Sequence, residues 1–198
     1  MKNPETLEAL IRDKLNDNET VLWSGKPFGV KLLEAPFGSP IIVRWIICLV
    51  IAVVALWYGL IYVPGNDSVS TNGTAIMLVI LVIVIFFAIR PLMDISRLNG
   101  KCFYFITDRR ALVLVKGNSE TVKERSLADL SEITMDTISE GRGNIYIGTK
   151  AKNSEKRARF SVLVPPQIDE NEEKPLVFYS VANPDEVIGC FPTVNNND

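Results

Sequence analysis

Two apolar runs constrain this chain more than any other feature. Trp45 to Val63 (WIICLVIAVVALWYGLIYV) is nineteen residues without a charge, and Ala75 to Ile89 (AIMLVILVIVIFFAI) follows after a short polar stretch. An α-helix rises about 1.5 Å per residue and the hydrocarbon core of a bilayer is roughly 30 Å thick, so about twenty apolar residues cross it. The first run has that length. The second has it when counted from Gly73 to Met93, with Arg90 snorkelling to the headgroups. A buried core helix is the alternative for each, but two runs so rich in Ile and Val favour a membrane hairpin. The expected spans are 41–63 and 75–93, joined by an external loop at 64–74.

Basic residues give the orientation. Lys26, Lys31 and Arg44 precede the first span, and Arg90, Arg97, Lys101, Arg109 and Arg110 follow the second. The loop PGNDSVSTNGT has neither Lys nor Arg and carries Asp67. The positive-inside rule then puts both termini in the cytoplasm. Trp45 falls at the inner interface, and Trp57, Tyr58 and Tyr62 at the outer one. Ala52, Ala55 and Gly59 share one helix face, where small side chains let another helix approach. The second helix of the same chain is the favoured partner, and a second protein or copy the alternative. No Asp, Glu, Lys or Arg lies deep in either run, which argues against a one-chain transporter or channel. No basic n-region precedes a short apolar core, so the first span is expected to act as an uncleaved anchor.

Composition excludes several classes. The chain has no histidine, which rules out His-dependent acid–base catalysis, Ser-His-Asp and Cys-His nucleophiles, and most zinc sites. A net charge of −2 argues against nucleic acid as a partner. Cys48, Cys102 and Cys190 show no C-x-x-C spacing and imply no disulfide framework. Gly141-Arg-Gly143 lacks the spacing of a nucleotide loop, and the acids from Asp169 to Glu173 read as a loop rather than a metal site. No enzymatic activity, catalytic residue, metal or cofactor is expected.

Outside the hairpin the chain reads as soluble protein. Asn3-Pro4-Glu5 is a helix start, and Leu7, Leu10, Ile11 and Leu15 form an apolar stripe that Asn16 can end. The stripe is expected to pack on the cytoplasmic domain or the membrane surface. Glu19 to Pro27 (ETVLWSGKP) is an alternating segment ended by Gly and Pro. After the second span, Asp94 to Gly100 are read as a short connection that holds the domain against the membrane. Strands are expected near Phe103–Thr107, Ala111–Lys116, Thr121–Ser126, Ile133–Ser139, Asn144–Gly148, Phe160–Val164 and Leu176–Ser180. Turns are expected at Asp108-Arg109, Gly117-Asn118-Ser119, Gly141-Arg142-Gly143 and Asn153. A short helix begins at Asn183-Pro184 and runs to about Phe191.

Two segments carry a family resemblance. Glu19 to Pro27 resembles the E-x-x-L-W-x-G-x-P signature that precedes the membrane helices of bacterial PH-like (pleckstrin-homology-like) membrane proteins. Phe103-Tyr-Phe-Ile-Thr-Asp-Arg-Arg-Ala-Leu-Val-Leu114 resembles their Y-x-[IV]-T-D-R-R-[VL] hairpin, and the order of segments from Glu19 to about Phe191 fits that family. The departures are a short closing helix and a polar insertion at 165–174. The resemblance implies an α+β membrane protein of the bacterial cytoplasmic (inner) membrane. A two-helix transmembrane hairpin would be followed by a PH-like β-barrel of about seven strands with a short C-terminal helix. The expected organisation is an N-terminal cytoplasmic segment at 1–40, the hairpin, a PH-like domain at 101–192 and a disordered tail at 193–198.

The family-motif residues are Trp23, Gly25, Pro27, Thr107, Asp108 and Arg110. Trp23 is expected as an anchor, in the domain core or at headgroup level. Asp108 can bond the turn's own backbone, and the arginines can pair with carboxylates. Alternatively Arg109 and Arg110 bind anionic headgroups. The structural role is preferred. Lys150, Lys152, Lys156, Arg157 and Arg159 cluster around one expected hairpin, either as a solvated tip or as a site for headgroups or a partner. The functional expectation is a non-enzymatic, membrane-anchored scaffold that binds a protein partner or its own copies, with anionic lipid binding as the alternative. The bilayer itself is the remaining partner.

Overall fold

The computed structural model describes residues 7, 10–34, 37–64, 72–117, 120–128, 130, 132–139, 141–150, 154–163 and 175–191, without the side chains of Glu155 and Lys156. The expected helix start at Asn3-Pro4-Glu5, the tip of the loop at 64–74, most of the Gly117-Asn118-Ser119 turn, Asn153, the insertion at 165–174 and the tail at 193–198 lie outside the described residues. The chain divides into two compact units, one formed by 31–95 and the other by 1–30 with 96–198.

The first unit is the helical one. Helix α1 covers Gly38–Trp57 and continues as a π-helical turn over Tyr58–Tyr62. Helix α2 covers Asn72–Lys101. Both are long and apolar enough to cross a membrane. Most of their apolar surface is exposed; Leu49 is 65% and Val82 67% accessible. The two helices pack through the small-residue face read from the sequence. Ala55 and Gly59 are buried, and a Cβ on Gly59 would lie 2.0 Å from Met77 Sδ. At the other end the Trp45 indole N–H donates to the Ala88 carbonyl at 3.0 Å. The expected connection at 94–100 is instead the end of α2. The helix continues past Pro91, and Leu98 in its last turns has no accessible surface.

Among its described residues the second unit contains seven strands, all paired antiparallel: β1 (Val21–Gly25), β2 (Cys102–Thr107), β3 (Arg110–Val115), β4 (Thr121–Ser126), β5 (Ile133–Ser139), β6 (Arg142–Ile147) and β7 (Leu176–Ala182). They form a four-stranded sheet, β1-β2-β3-β4, and a three-stranded sheet, β5-β6-β7. This corrects the expected barrel. The two sheets stack through side chains and are not hydrogen-bonded into a closed ring.

Two further corrections concern which segments are strands. The motif segment before the hairpin is β1, with Trp23 opposite Ile106 and Gly25 opposite Tyr104. The domain therefore begins before the helices and resumes after them, and the boundary expected at 101 does not hold. Of the expected strand at Phe160–Val164, Val164 lies outside the described residues, and residues 160–163 belong to helix α3 (Ser154–Leu163). Its buried residues Ala158, Arg159 and Val162 recur at helical spacing while Phe160 is half exposed, which a period of two would not produce.

Both faces of the four-stranded sheet are covered. Phe103, Phe105, Leu112 and Leu114 pack on one face against Leu7, Leu10, Ile11 and Leu15. The N-terminal stripe thus lies on the domain; among its described residues Leu7 is α-helical and Arg12–Lys14 form a 3-10 turn. On the other face the Tyr104 ring stacks on Phe178 at 4.7 Å, and Trp23 stacks on Phe178 at 6.1 Å. The Tyr104 hydroxyl donates to the Tyr179 carbonyl at 2.9 Å and accepts from the Tyr179 N–H at 3.0 Å. Helix α4 (Pro184–Ile188) closes the described chain and is shorter than expected. Asn183 stands before it at φ +45°, so its side chain makes no cap bond to the backbone and instead donates to Glu186 Oε1 at 3.2 Å.

Candidate functional site

The two motif segments, about eighty residues apart in the chain, meet in space. Glu19 enters just before β1 and its side chain has no accessible surface. Arg110 opens β3 beside it. The guanidinium grips the carboxylate with two bonds, Nε to Oε1 at 2.9 Å and Nη2 to Oε2 at 2.8 Å. Such a bidentate pair is among the stronger charge-assisted contacts available. Arg110 also donates to the Lys14 carbonyl at 2.8 Å and to Glu124. The Asn16 N–H donates to Glu19 Oε2 at 2.8 Å.

Thr107 organises the turn between the motif arginines and their strand. Its hydroxyl faces Glu19 Oε1 and the Arg110 carbonyl, each at 2.8 Å, and accepts from the Arg110 N–H at 2.9 Å. Asp108 does not bond its own turn as expected. Its Oδ1 accepts from the Thr20 N–H at 3.0 Å, and its own N–H donates to the Thr20 carbonyl at 3.1 Å, so it ties the turn to the segment entering β1. Burial alone would raise the Glu19 carboxyl. The bonds from Arg110, Asn16 and Thr107, with the Arg110 charge, outweigh it and hold the group at about 2. The carboxylate in turn raises Arg110 above the usual guanidinium range, against the opposing effect of burial.

The remaining motif residues close the other end of β1. The Trp23 indole lies over Gly25, where a Cβ would come within 2.4 Å of the ring, so only glycine fits beneath it. This resolves the two readings of Trp23 in favour of the domain core. Pro27 is buried. The next residue, Phe28, donates its N–H to the Ser180 carbonyl and accepts from Ser180 Oγ, both at 2.7 Å. Ser180 is fully buried at φ +54°, its N–H held by Asn144 Oδ1 at 2.9 Å.

The expected basic hairpin does not exist as a unit. Lys150 follows β6 and pairs with Asp136 at 2.6 Å, with its ammonium 5.0 Å from the Tyr146 ring centre. Arg159 is 5% accessible on α3, over the Tyr179 ring at 5.6 Å and donating to its hydroxyl at 3.2 Å. Arg157 is exposed on the same helix. Lys152 and the Lys156 side chain lie outside the described residues. Arg109 is about half exposed, its nearest carboxylate oxygen 3.9 Å away on Asp108. Of the seven candidate cations, Arg109 and Arg157 are therefore the described ones that point to solvent.

Other features escaped the sequence reading. Lys123 on β4 reaches into the domain and donates to the Ser161 carbonyl of α3. Burial pulls its ammonium down to about 8 and pushes the neighbouring Cys102 thiol up to about 12. On the three-stranded sheet, β5 stands at one edge and, among the described residues, pairs with β6. Beside it lies a polar cleft of about 280 Å³ lined by Met135, Thr137, Arg142, Asn183, Asp185 and Glu186, among others. Charges of both signs meet there, which no single motif announces. Among the described residues no group of three or more Cys, Asp or Glu side chains could hold a metal ion. A scan of protein-family models and searches of curated proteins and of solved structures find no match to this chain.

Proposed function

We propose that this protein is a membrane-anchored interaction module of the bacterial PH-like kind, in which the helical hairpin anchors the chain and the two-sheet domain binds a protein partner at the cytoplasmic face. The exposed apolar surface of α1 and α2 and the basic residues flanking both helices support the anchor and its orientation. The resemblance rests on two motifs that interlock through Glu19, Thr107 and Arg110. Two stacked sheets followed by a short helix are compatible with a PH-like domain.

The observation that carries partner binding is the cleft beside β5. Its lining sets the Thr137 and Ser139 hydroxyls beside Arg142, Asp185 and Glu186, a polar and charged surface that a peptide of complementary charge can meet. Thr137 is exposed in this cleft and outside the domain's core. Full-length protein tagged at its C-terminus and extracted gently from native membranes should co-purify a stoichiometric partner. Thr137→Arg should lose it without lowering the yield of folded protein. Retention of the same partner by Thr137→Arg would refute this site.

Headgroup binding is the second reading, supported by Arg109 and Arg157 alone among the described candidates. It predicts anionic lipid, not protein, in the purified sample, with both Arg109→Gln and Arg157→Gln reducing it.

A further inference from the structure

The hairpin itself holds a feature that anchoring does not require. Helices α1 and α2 are pinned at two levels, by the Trp45–Ala88 hydrogen bond and by the Gly59–Met77 approach. From Pro40 to Ile51 on α1, across the Trp45 level, they leave a groove of about 490 Å³. Its walls are two stripes at helical spacing, Ile47 and Ile51 on α1 and Ile80, Ile83 and Phe87 on α2. These side chains stay largely open; Ile47 is 53% and Ile83 49% accessible. Arg44 is the one charged residue lining the groove, one turn before Ile47. Among the described residues it has no ion-pair or hydrogen-bond partner.

From this arrangement we infer that the groove is a seat for one phospholipid, its phosphate on Arg44 and an acyl chain along the Ile47–Ile51 and Ile80–Phe87 stripes. The inference rests on the membrane reading of the hairpin. The charge pattern selects the occupant. A single cation at the mouth of an otherwise apolar trough complements an amphiphile with an anionic head and a hydrocarbon tail. Arg44 to Ile51 covers about 10 Å of helix, a length that an extended acyl chain can follow. A second helix is a poorer fit. Close helix packing needs small residues, and here the walls are mostly β-branched or aromatic, with Cys48 the small residue among them, while Ala55 and Gly59 already serve the α1–α2 contact.

The test uses the full chain reconstituted in bilayers of phosphatidylcholine and phosphatidylglycerol, released into mild detergent and examined by native mass spectrometry. Wild type and the control Arg97→Gln should each retain one phospholipid per chain. Arg44→Gln should retain about fivefold less, the loss expected for one cation at a lipid surface. Arg44→Lys should restore retention, and Ile83→Trp should abolish it by filling the trough. Equal retention by wild type, Arg44→Gln and Ile83→Trp would overturn the seat. So would efficient disulfide cross-linking between two chains through Ile47→Cys, which would put a second copy in the groove. Release of the chain from membranes by alkaline carbonate would defeat the membrane reading instead, and is scored separately.

Discussion

Glu19 gives the sharpest test of how this domain is held together. Its carboxyl stands at about 2 in the folded protein against an ordinary value of 4.5, and its side chain is wholly inaccessible. The difference of about 2.5 pH units, at about 1.4 kcal/mol each, corresponds to about 3 kcal/mol of stability. The folded value is the lower one, so the contribution is complete above pH 4.5 and fades as the pH falls toward 2. Glu19→Gln keeps the shape but removes the charge that Arg110 faces. Arg110 retains Glu124 and the Lys14 carbonyl, so the loss at pH 7 should be about 2–3 kcal/mol, below the range for a wholly orphaned buried charge. Thermal unfolding of the full chain in detergent, followed by tryptophan fluorescence, should show a Tm about 10 °C lower at pH 7. Other carboxylates also titrate in acid, so the informative quantity is the gap between the two curves. It should close between pH 4.5 and 2. A gap that stays constant over that range would refute the assigned role of the charge, and no gap at pH 7 would refute the buried pair.

Other perturbations address separate parts of the structure. Tyr104→Phe strands the Tyr179 carbonyl and N–H inside the domain and should cost about 2–4 kcal/mol in chemical unfolding. Gly59→Leu should weaken the helix pair by about 1–3 kcal/mol, and adding Met77→Ala should recover much of that in a double-mutant cycle, because Met77 is what the new side chain meets. Lys123 has a folded value of about 8 against 10.5, so the unfolded chain binds more protons between them and stability should rise with pH above 8. Cys102, raised from 9.0 to about 12, acts oppositely above pH 9 because its folded form keeps the proton. The melting temperature should therefore climb from pH 8 to 9 and then level off, and Lys123→Met should remove the climb.

The helices were legible because an uncharged run of membrane length has few other readings, and the face of Ala55 and Gly59 followed from helical spacing alone. The strands after the hairpin were legible from turn residues and apolar clusters. The role of Glu19 to Pro27 was not, because the partner of β1 is β2, on the far side of the whole hairpin. A local pattern shows an alternating segment but not what it pairs with. The same distance hid which carboxylate Arg110 pairs with and which backbone Asp108 bonds, Glu19 and Thr20 in the folded chain. Phe160 to Val164 is a short, largely apolar run with two valines that reads as a strand, yet Ala158 and Val162 bury one helical face, and so short a run fits either period. Counting cations along the chain likewise grouped Lys150, Arg157 and Arg159, which the fold assigns to an ion pair, to solvent and to an aromatic core.

The anchor and its orientation are most directly tested by reporter fusions at two points of the full-length chain. Alkaline phosphatase, which is active only outside the cytoplasm, is inserted after Asn66 or fused after Asp198. The anchored, both-termini-inside arrangement predicts an active enzyme at the loop and an inactive one at the C-terminus. Activity at the C-terminus, or at neither point, would contradict it.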